Sequence, residues 1–323
     1  MKLVTFDAGD GVKRSGALVD GGTRVVDLLA ASGGEARVAS VLAIAEGGAD
    51  ALEAAKSALA ASRPEHGRAR DAVRLLAPIQ PPPQMRDALC FETHLKQAFA
   101  NARKIRAQAF PDPEAALKDM DAKGVLQIPQ TFYEQPIYYK ANRFSVIGTD
   151  DEVLWPRYSK FMDFELEFGC YIGKPGKDIP KERAREHIFG YTIFNDMTAR
   201  DAQTAEMPGQ LGPAKGKDFD TANPMGPCLV TADELTDPYN LTMICRVNGE
   251  EWGRGNSSTM YWKFEDVIQH VSNSETLHSG EFIGSGTVGN GCGLEHMRFL
   301  NPGDVIELEV EGIGILRNRL VKP

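Results

Sequence analysis

The sequence has no apolar run of the length that a membrane-spanning helix needs, and no block rich in lysine and arginine. Its 45 Asp and Glu residues outnumber its 36 Lys and Arg residues, which gives a formal net charge of −9 at pH 7. A surplus of negative charge disfavours binding to a nucleic-acid backbone or to an anionic membrane. We therefore expect a globular protein whose partner is neither nucleic acid nor a membrane.

Cysteine is scarce, and the five residues in this chain of 323 are dispersed, with no CxxC metal or redox motif. They are Cys90, Cys170, Cys228, Cys245 and Cys292. An odd number of separated thiols is typical of a reducing compartment. The segment Met1–Asp7 reaches an acidic residue, followed closely by glycines, too early for a secretory signal peptide. We therefore expect a cytoplasmic protein.

The clearest break in the sequence is the segment Pro78–Pro83, which holds four prolines in six residues. Before it, residues 1–28 alternate short apolar runs with turn signals, a pattern typical of a β-meander. Residues 36–62 are rich in Ala, Glu and Leu, which predicts one or two helices. We therefore predict a small β-rich N-terminal domain with helices at residues 1–80, and a larger domain at residues 84–323.

The larger domain is predicted to be mostly β with some α-helix. Residues Glu92–Ala109 and Tyr261–Val271 have helical spacing of apolar side chains. Residues 110–135 contain three prolines and a glycine with few apolar runs, which predicts a long irregular segment of the kind that covers an active site. The remainder consists of short apolar runs separated by Gly and Pro, which favours strands.

A pair of carboxylates lies inside one apolar run, Phe164–Gly169. In a strand, Glu165 and Glu167 would point to the same face, because side chains alternate with a period of two. Buried glutamates need a positive partner, and a divalent cation can supply it. A strand whose glutamate face is simply solvated is the alternative, and it is the commoner reason for this motif alone.

A second apolar run, Gly190–Asp196, ends in another carboxylate, and a short helix is predicted between the two runs at Pro180–Phe189. This strand–helix–strand order could bring Asp196 beside Glu165 and Glu167. Carboxylates without nearby Cys or His favour a hard cation with oxygen ligands, namely Mg²⁺, with Ca²⁺ or Mn²⁺ next.

One glycine-rich motif does not indicate a dinucleotide-binding site. Gly284–Gly289 matches the GxGxxG dinucleotide fingerprint, which requires a helix directly after it and room for a further strand. Another glycine-rich stretch, Asn290–Gly293, follows instead. We therefore expect a tight loop at which the backbone approaches a ligand or a neighbouring strand.

Several short motifs, read together and in order from about residue 84 to the end, resemble the fumarylacetoacetate hydrolase family. They are Asp87-x6-His94, Phe164–Gly169, Phe194–Asp201, Lys215–Phe219, Gly284–Val288 and Gly312–Arg319. The resemblance implies a mixed β-roll catalytic domain preceded by a small β-rich domain, a divalent metal and a homodimer.

The resemblance also assigns roles by position. It implies metal ligands at Asp87, Glu165, Glu167 and Asp196. It implies that His94 is the general base and that Glu295 orients it. It implies oxyanion stabilisation by Arg200, Gln203 and Lys217, and a substrate pocket lined by Tyr139, Gly286, Thr287 and, with the least support from helical spacing, Arg103.

The function implied is metal-dependent hydrolysis of a carbon–carbon bond in a 1,3-dicarbonyl compound, such as an acylpyruvate or fumarylacetoacetate, in aromatic or related catabolism. The metal would polarise both carbonyl oxygens, and His94 would activate water. Decarboxylation or isomerisation of a 2-oxo acid on the same fold is the alternative enzyme activity. A small-molecule or partner-binding module without catalysis is the third interpretation.

Overall fold

More residues lie in β-strands than in α-helices within residues 1–322, which are the residues that the computed structural model describes. The strands are β1 Lys2–Asp7, β2 Arg14–Val19, β3 Arg24–Asp27, β4 Gly67–Ala69, β5 Arg74–Leu76, β6 Met85–Ala88, β7 Tyr138–Lys140, β8 Val146–Ile147, β9 Glu152–Leu154, β10 Met162–Asp163, β11 Leu166–Ile172, β12 Ile188–Asn195, β13 Thr198–Ala199, β14 Asn223–Thr231, β15 Thr242–Val247, β16 Glu250–Asn256, β17 Phe282–Gly284, β18 Val305–Val310 and β19 Gly314–Val321. The helices are α1 Leu28–Ala31, α2 Val41–Glu46, α3 Gly48–Ala60, α4 Glu92–Ala107, α5 Pro113–Ala122, α6 Thr131–Glu134, α7 Arg200–Glu206, α8 Ala214–Lys217, α9 Phe264–Ser272 and α10 Gly293–His296.

A sheet of 12 strands runs through most of the described chain, in the order β4-β3-β2-β1-β14-β12-β11-β17-β6-β7, with β5 on β1 and β8 on β14. The first strand, β1, pairs antiparallel with β14, so the N-terminal strands continue the sheet of the C-terminal part. The division of the chain at residues 80–84 into two domains stays a prediction. The central neighbours β12, β11, β17 and β6 carry the candidate site described below.

The main core lies between this sheet and a second sheet of five strands, β16-β15-β18-β19-β9. Phe164, Leu166 and Phe168 point into it, and the ring of Phe168 lies 5.1 Å from that of Phe264 on α9. A second apolar cluster contains Tyr171, on the other face of β11, together with residues of the N-terminal helices. Side chains therefore alternate along β11 as its sequence predicts, which leaves Glu167 on the face opposite the main core.

Most predicted elements are confirmed. The β-meander corresponds to β1–β3, the Ala-rich segment to α2 and α3, and the two helical patterns to α4 and α9. The predicted short helix at Pro180–Phe189 is a 3-10 helix, Lys181–His187.

The segment 110–135 is more regular than predicted, because it contains α5 and α6. Helix α5 begins with Asp112, whose side chain accepts a hydrogen bond from the backbone N–H of Ala115, and with Pro113 in its first turn. Met120 is its only buried residue, so the helix shows little apolar periodicity in the sequence. Capping signals alone could have located it.

Within residues 1–322, none of the helices combines the length and the apolar character that crossing a lipid bilayer requires.

Candidate metal centre and active site

Three carboxylates converge where neighbouring strands of the large sheet end. Asp87 lies on β6, Glu167 on β11 and Asp196 directly after β12, and oxygen atoms of the three lie within 4.8 Å of one another. All three residues are buried. We call Asp87, Glu167 and Asp196 the carboxylate centre.

Two glycines make room for this arrangement. Strand β17 lies between β6 and β11, and a Cβ at Gly284 would lie 2.4 Å from Asp87 Oδ1 and 3.3 Å from Glu167 Oε2. Gly286 has φ +75°, and its N–H donates to Asp87 Oδ1 at 3.2 Å. A Cβ at Gly286 would lie 2.3 Å from the carbonyl oxygen of Ala88. The glycine-rich loop thus serves close backbone approach, as the sequence predicts, rather than dinucleotide binding.

The carboxylate centre is electrostatically incomplete without a cation. Burial, with repulsion from Asp196, raises the pKa of Asp87 to about 8, and burial raises the pKa of Asp196 to about 6. Burial and the two neighbouring carboxylates likewise raise the pKa of Glu167 well above its ordinary value. Glu167 Oε2 and Asp196 Oδ1 have no hydrogen-bond partner among residues 1–322, although both atoms are buried. Unpartnered buried carboxylate oxygens that face one another fit a hard divalent cation.

The fourth predicted ligand, Glu165, is occupied differently. Lys217 Nζ lies 2.5 Å from both Glu165 Oε2 and Asp196 Oδ2, and Arg200 Nη2 lies 2.8 Å from Glu165 Oε1. Although burial opposes ionisation, Lys217 and Arg200 hold the pKa of Glu165 well below its usual range. Both oxygens of Glu165 are therefore ion-paired, whereas Asp196 keeps Oδ1 without a partner among residues 1–322, and Glu165 is not part of the carboxylate centre. Its role as a metal ligand stays a prediction.

Other predicted residues surround the carboxylate centre. The Tyr139 hydroxyl donates to Asp196 Oδ2 at 2.8 Å, and the Thr287 hydroxyl donates to Glu167 Oε1 at 3.4 Å. Gln203 Oε1 accepts a hydrogen bond from Arg200 Nη1 at 3.1 Å. These hydrogen bonds show that the three side chains lie at the site. The predicted contacts of the same side chains with substrate stay predictions.

The predicted base and its orienting residue are in contact. His94 Nδ1 lies 3.1 Å from Glu295 Oε1, and both residues are buried. Glu295 Oε2 accepts a hydrogen bond from the backbone N–H of Cys292 at 2.9 Å, which fixes the carboxylate. A carboxylate at Nδ1 favours the tautomer with the proton there and leaves Nε2 free to accept one. The backbone of Cys292 also forms a β-bridge with Glu165. The His94–Glu295 pair therefore lies next to the ion-paired cluster of Glu165, Lys217 and Arg200.

Asp163 is a functional candidate that the sequence interpretation missed. Its Oδ2 accepts hydrogen bonds from Arg200 Nε and Nη2, at 2.9 and 2.7 Å, and from the backbone N–H of Leu294 at 2.9 Å. Its Oδ1 accepts from the N–H of Gly293 at 2.7 Å. One buried carboxylate thus holds both Arg200 and the start of α10, which carries Glu295. The alternation of Asp163 with Glu165 and Glu167 was the available signal.

Arg103 is turned toward the segment that follows α4. Its guanidinium lies 2.9 Å from Asp121 Oδ1 and donates to the carbonyl oxygens of Val125 and Leu126, the latter at 2.7 Å. These contacts anchor residues 110–135 to α4. They engage Nε and Nη1 of Arg103, and the predicted substrate role of Arg103 stays without support from the structure.

Metal affinity is expected to rise with pH. In the metal-free fold, Asp87 and Asp196 have pKa values of about 8 and about 6, so below these values protons compete with the cation. The raised pKa values also mean that the folded state binds more protons than the unfolded chain, so this contribution to stability is present below about pH 4 and is lost as the pH rises toward 8. The increase in Tm that Mn²⁺ gives over EDTA should therefore grow between about pH 6 and about pH 8.5. A pH-independent increase would contradict the assignment.

Together, the fold and the site define an enzyme-like centre that combines a cluster of buried carboxylates with a buried histidine–glutamate pair. A family model described as "Fumarylacetoacetate (FAA) hydrolase C-terminal" matches residues 86–321. The oxaloacetate tautomerase fahd2 of Xenopus laevis is 32% identical over 324 aligned residues, which cover 99% of this chain and 90% of that protein. The chain belongs to the fumarylacetoacetate hydrolase family of enzymes, as its motifs predict.

Other similarities refine the comparison. The human mitochondrial oxaloacetate tautomerase FAHD2A is 40% identical over 189 residues, so the match spans 58% of this chain and 60% of that protein. Fumarylacetoacetate hydrolase from Exiguobacterium antarcticum has a solved structure with a TM-score of 0.75 and 27% identity over 100% of both chains. Maleylpyruvate hydrolase from Sphingobium sp. SYK-6, solved with manganese(II) and pyruvate, has a TM-score of 0.72 over 100% of this chain and 99% of that one, and at 20% identity it shows the shared fold. In that protein, manganese(II) is bound on the shared fold.

Proposed function

We propose that the chain is a divalent-metal-dependent enzyme that interconverts the keto and enol forms of a dicarboxylic 2-oxo acid of the oxaloacetate class. The observation that carries the proposal is the combination of the carboxylate centre with the His94–Glu295 pair, whose neighbour Cys292 forms a β-bridge with Glu165. Such a site can hold a 2-oxo acid through a cation and can move a proton at the neighbouring carbon. This corresponds to the isomerase alternative of the sequence interpretation.

The residues of the chain have separate tasks. Asp87, Glu167 and Asp196 would hold the cation, which when bound supplies a Lewis acid to the oxygens of the substrate. His94 Nε2 would take the proton from C3 of the 2-oxo acid and return it to the oxygen at C2, or the reverse. Glu295 would stabilise the imidazolium that forms in between.

The hydrogen bonds of Lys217 and Arg200 support a reaction that forms no tetrahedral oxyanion. All three donors of Lys217 point to acceptors of the protein, namely Glu165 Oε2, Asp196 Oδ2 and the Asp196 carbonyl oxygen at 3.3 Å. Arg200 is held by Asp163, Glu165 and Gln203. An oxyanion needs donors that are free to reach it. The sequence identity of the chain with relatives that are named oxaloacetate tautomerases also supports tautomerisation over hydrolysis.

Hydrolysis of a carbon–carbon bond in a 1,3-dicarbonyl compound is the second candidate. The His94–Glu295 pair favours it, because the same base can activate water. It requires Lys217 or Arg200 to exchange a protein partner for the substrate. A role in aromatic catabolism, the homodimer and a cytoplasmic location stay predictions, and the curated tautomerase relatives named above are mitochondrial proteins.

A substrate panel distinguishes the candidates. We would follow enol-oxaloacetate, acylpyruvates, β-diketones and fumarylacetoacetate by ultraviolet absorbance, with Mn²⁺ and with EDTA, and identify the products by NMR. A tautomerase accelerates decay of the enol and leaves the carbon skeleton intact, whereas a hydrolase releases two products. Activity that is equal in Mn²⁺ and EDTA, or absent on every compound, would overturn the proposal.

A further inference from the structure

We infer a second, inhibitory metal site at His94, Cys292 and Glu295, which takes Zn²⁺ or an ion of similar softness. Ligand atoms of these three residues lie within 4.8 Å of one another, and all three residues are buried. Imidazole nitrogen, thiolate sulfur and carboxylate oxygen are the ligand types that zinc prefers. Three protein ligands leave one coordination position open for water.

The two clusters differ in the ions that they select. The carboxylate centre offers only oxygen, which suits Mg²⁺ or Mn²⁺. The cluster at Cys292 adds sulfur and nitrogen, which shift the preference toward Zn²⁺. Mg²⁺ and Zn²⁺ can therefore bind at the same time, each at its own cluster.

The frame of the second site is already in place. His94 Nδ1 and Glu295 Oε1 are 3.1 Å apart, close to the roughly 3.3 Å that separates two ligand atoms on a tetrahedral zinc. The N–H of Cys292 fixes Glu295 Oε2, and the Asn101 side chain donates to the carbonyl oxygens of Leu294 and Glu295 at 3.1 and 2.7 Å. The His94 side chain keeps 9% of its surface exposed, whereas that of Glu295 is fully buried, so an ion enters past the imidazole.

Cys292 has no task in the proposed reaction. Burial, with repulsion from Glu295, raises the pKa of its thiol well above the ordinary value, so the side chain is a protonated thiol until a metal displaces the proton to solvent. Cys292 therefore allows the site to be removed without touching the base. Its substitution by serine changes one atom of a buried side chain.

An ion held by His94 and Glu295 removes the base from the reaction. Inhibition by zinc therefore rests on the proposed role of His94, whereas zinc binding does not. The two claims can be tested separately, because one has a spectroscopic readout and the other a kinetic one.

Binding is tested with Co²⁺ as a probe for Zn²⁺ in the full chain saturated with Mg²⁺. We expect a near-ultraviolet charge-transfer band from a thiolate to cobalt, which Zn²⁺ abolishes. The band should be lost in Cys292→Ser and kept in Cys228→Ser, a matched substitution of another buried cysteine. Absence of the band from the unsubstituted protein, or its survival in Cys292→Ser, overturns the site whatever the reaction is.

Inhibition is tested with Zn²⁺ against the activity found in the substrate panel, at saturating Mg²⁺. The concentration for half inhibition should rise at least about tenfold in Cys292→Ser and stay unchanged in Cys228→Ser. A thermal melt of each variant controls for folding. Equal inhibition of all three proteins would mean that zinc acts by replacing Mg²⁺ at the carboxylate centre, and it would overturn the inhibitory role.

Discussion

Replacing His94 with glutamine is expected to lower kcat by about 10²- to 10⁴-fold, the usual contribution of a positioned general base. Glutamine keeps a polar side chain that can reach Glu295 Oε1, but it cannot accept a proton near neutral pH. Metal affinity should change little, because His94 is not part of the carboxylate centre. Steady-state rates with Mn²⁺ and calorimetric titration of Mn²⁺ measure the two effects.

His278→Gln is the matched control for this substitution, because His278 is an exposed histidine on the segment before β17. It should leave kcat unchanged. A His94→Gln protein that keeps the full rate would exclude the base from the reaction, under both the tautomerase and the hydrolase proposals. Any decarboxylation of a 2-oxo acid by the bound cation should largely survive the substitution, since it needs no base.

Replacing Glu167 with glutamine is expected to abolish activity and metal binding, and yet to stabilise the metal-free protein. Glu167 is fully buried, and one of its oxygens has no partner within residues 1–322. The substitution removes an anionic ligand, but it also removes a carboxyl group whose pKa is raised well above its ordinary value by burial and by repulsion from Asp87 and Asp196. Removing this repulsion should raise the free energy of unfolding in EDTA by roughly 1–2 kcal/mol.

Calorimetric titration of Mn²⁺ and denaturant unfolding in EDTA measure these opposite effects. Glu114→Gln, at a side chain that is 84% exposed, is the control and should change neither quantity. If Glu167→Gln bound Mn²⁺ as tightly as the unsubstituted chain, the carboxylate centre could not be the metal site.

Much of the fold around the site was predictable, because strands encode burial by alternation. The run Phe164–Gly169 predicts which side chains enter the core, and the structure places them there. The same pattern cannot show which carboxylate on the polar face meets a cation brought in from elsewhere. Lys217 lies 52 residues from Glu165 in the sequence. Its contact with Glu165 is what gives this carboxylate a different role from that of Glu167.

Contacts between distant segments also explain what the sequence interpretation missed. The alternation of Asp163 with Glu165 and Glu167 was a signal for this residue, but no sequence pattern shows that it accepts hydrogen bonds from the backbone N–H groups of Gly293 and Leu294. The motif resemblance placed His94 and Glu295 at the site although 201 residues separate them. It did not point to Cys292, because a single cysteine beside a strand carries no periodic or motif signal.

Because of the position of Asp163, a change at Arg200 is expected to affect Glu295, and the reverse. Its carboxylate restrains Arg200 on one side and the first turn of α10, with Glu295, on the other. A double-mutant cycle between Arg200→Gln and Glu295→Gln should therefore show a coupling free energy of about 0.5–3 kcal/mol in kcat/KM, although no hydrogen bond joins the two side chains among the described residues. Evolution of activity on a new substrate in this fold would therefore require coordinated changes around Arg200 and around Glu295.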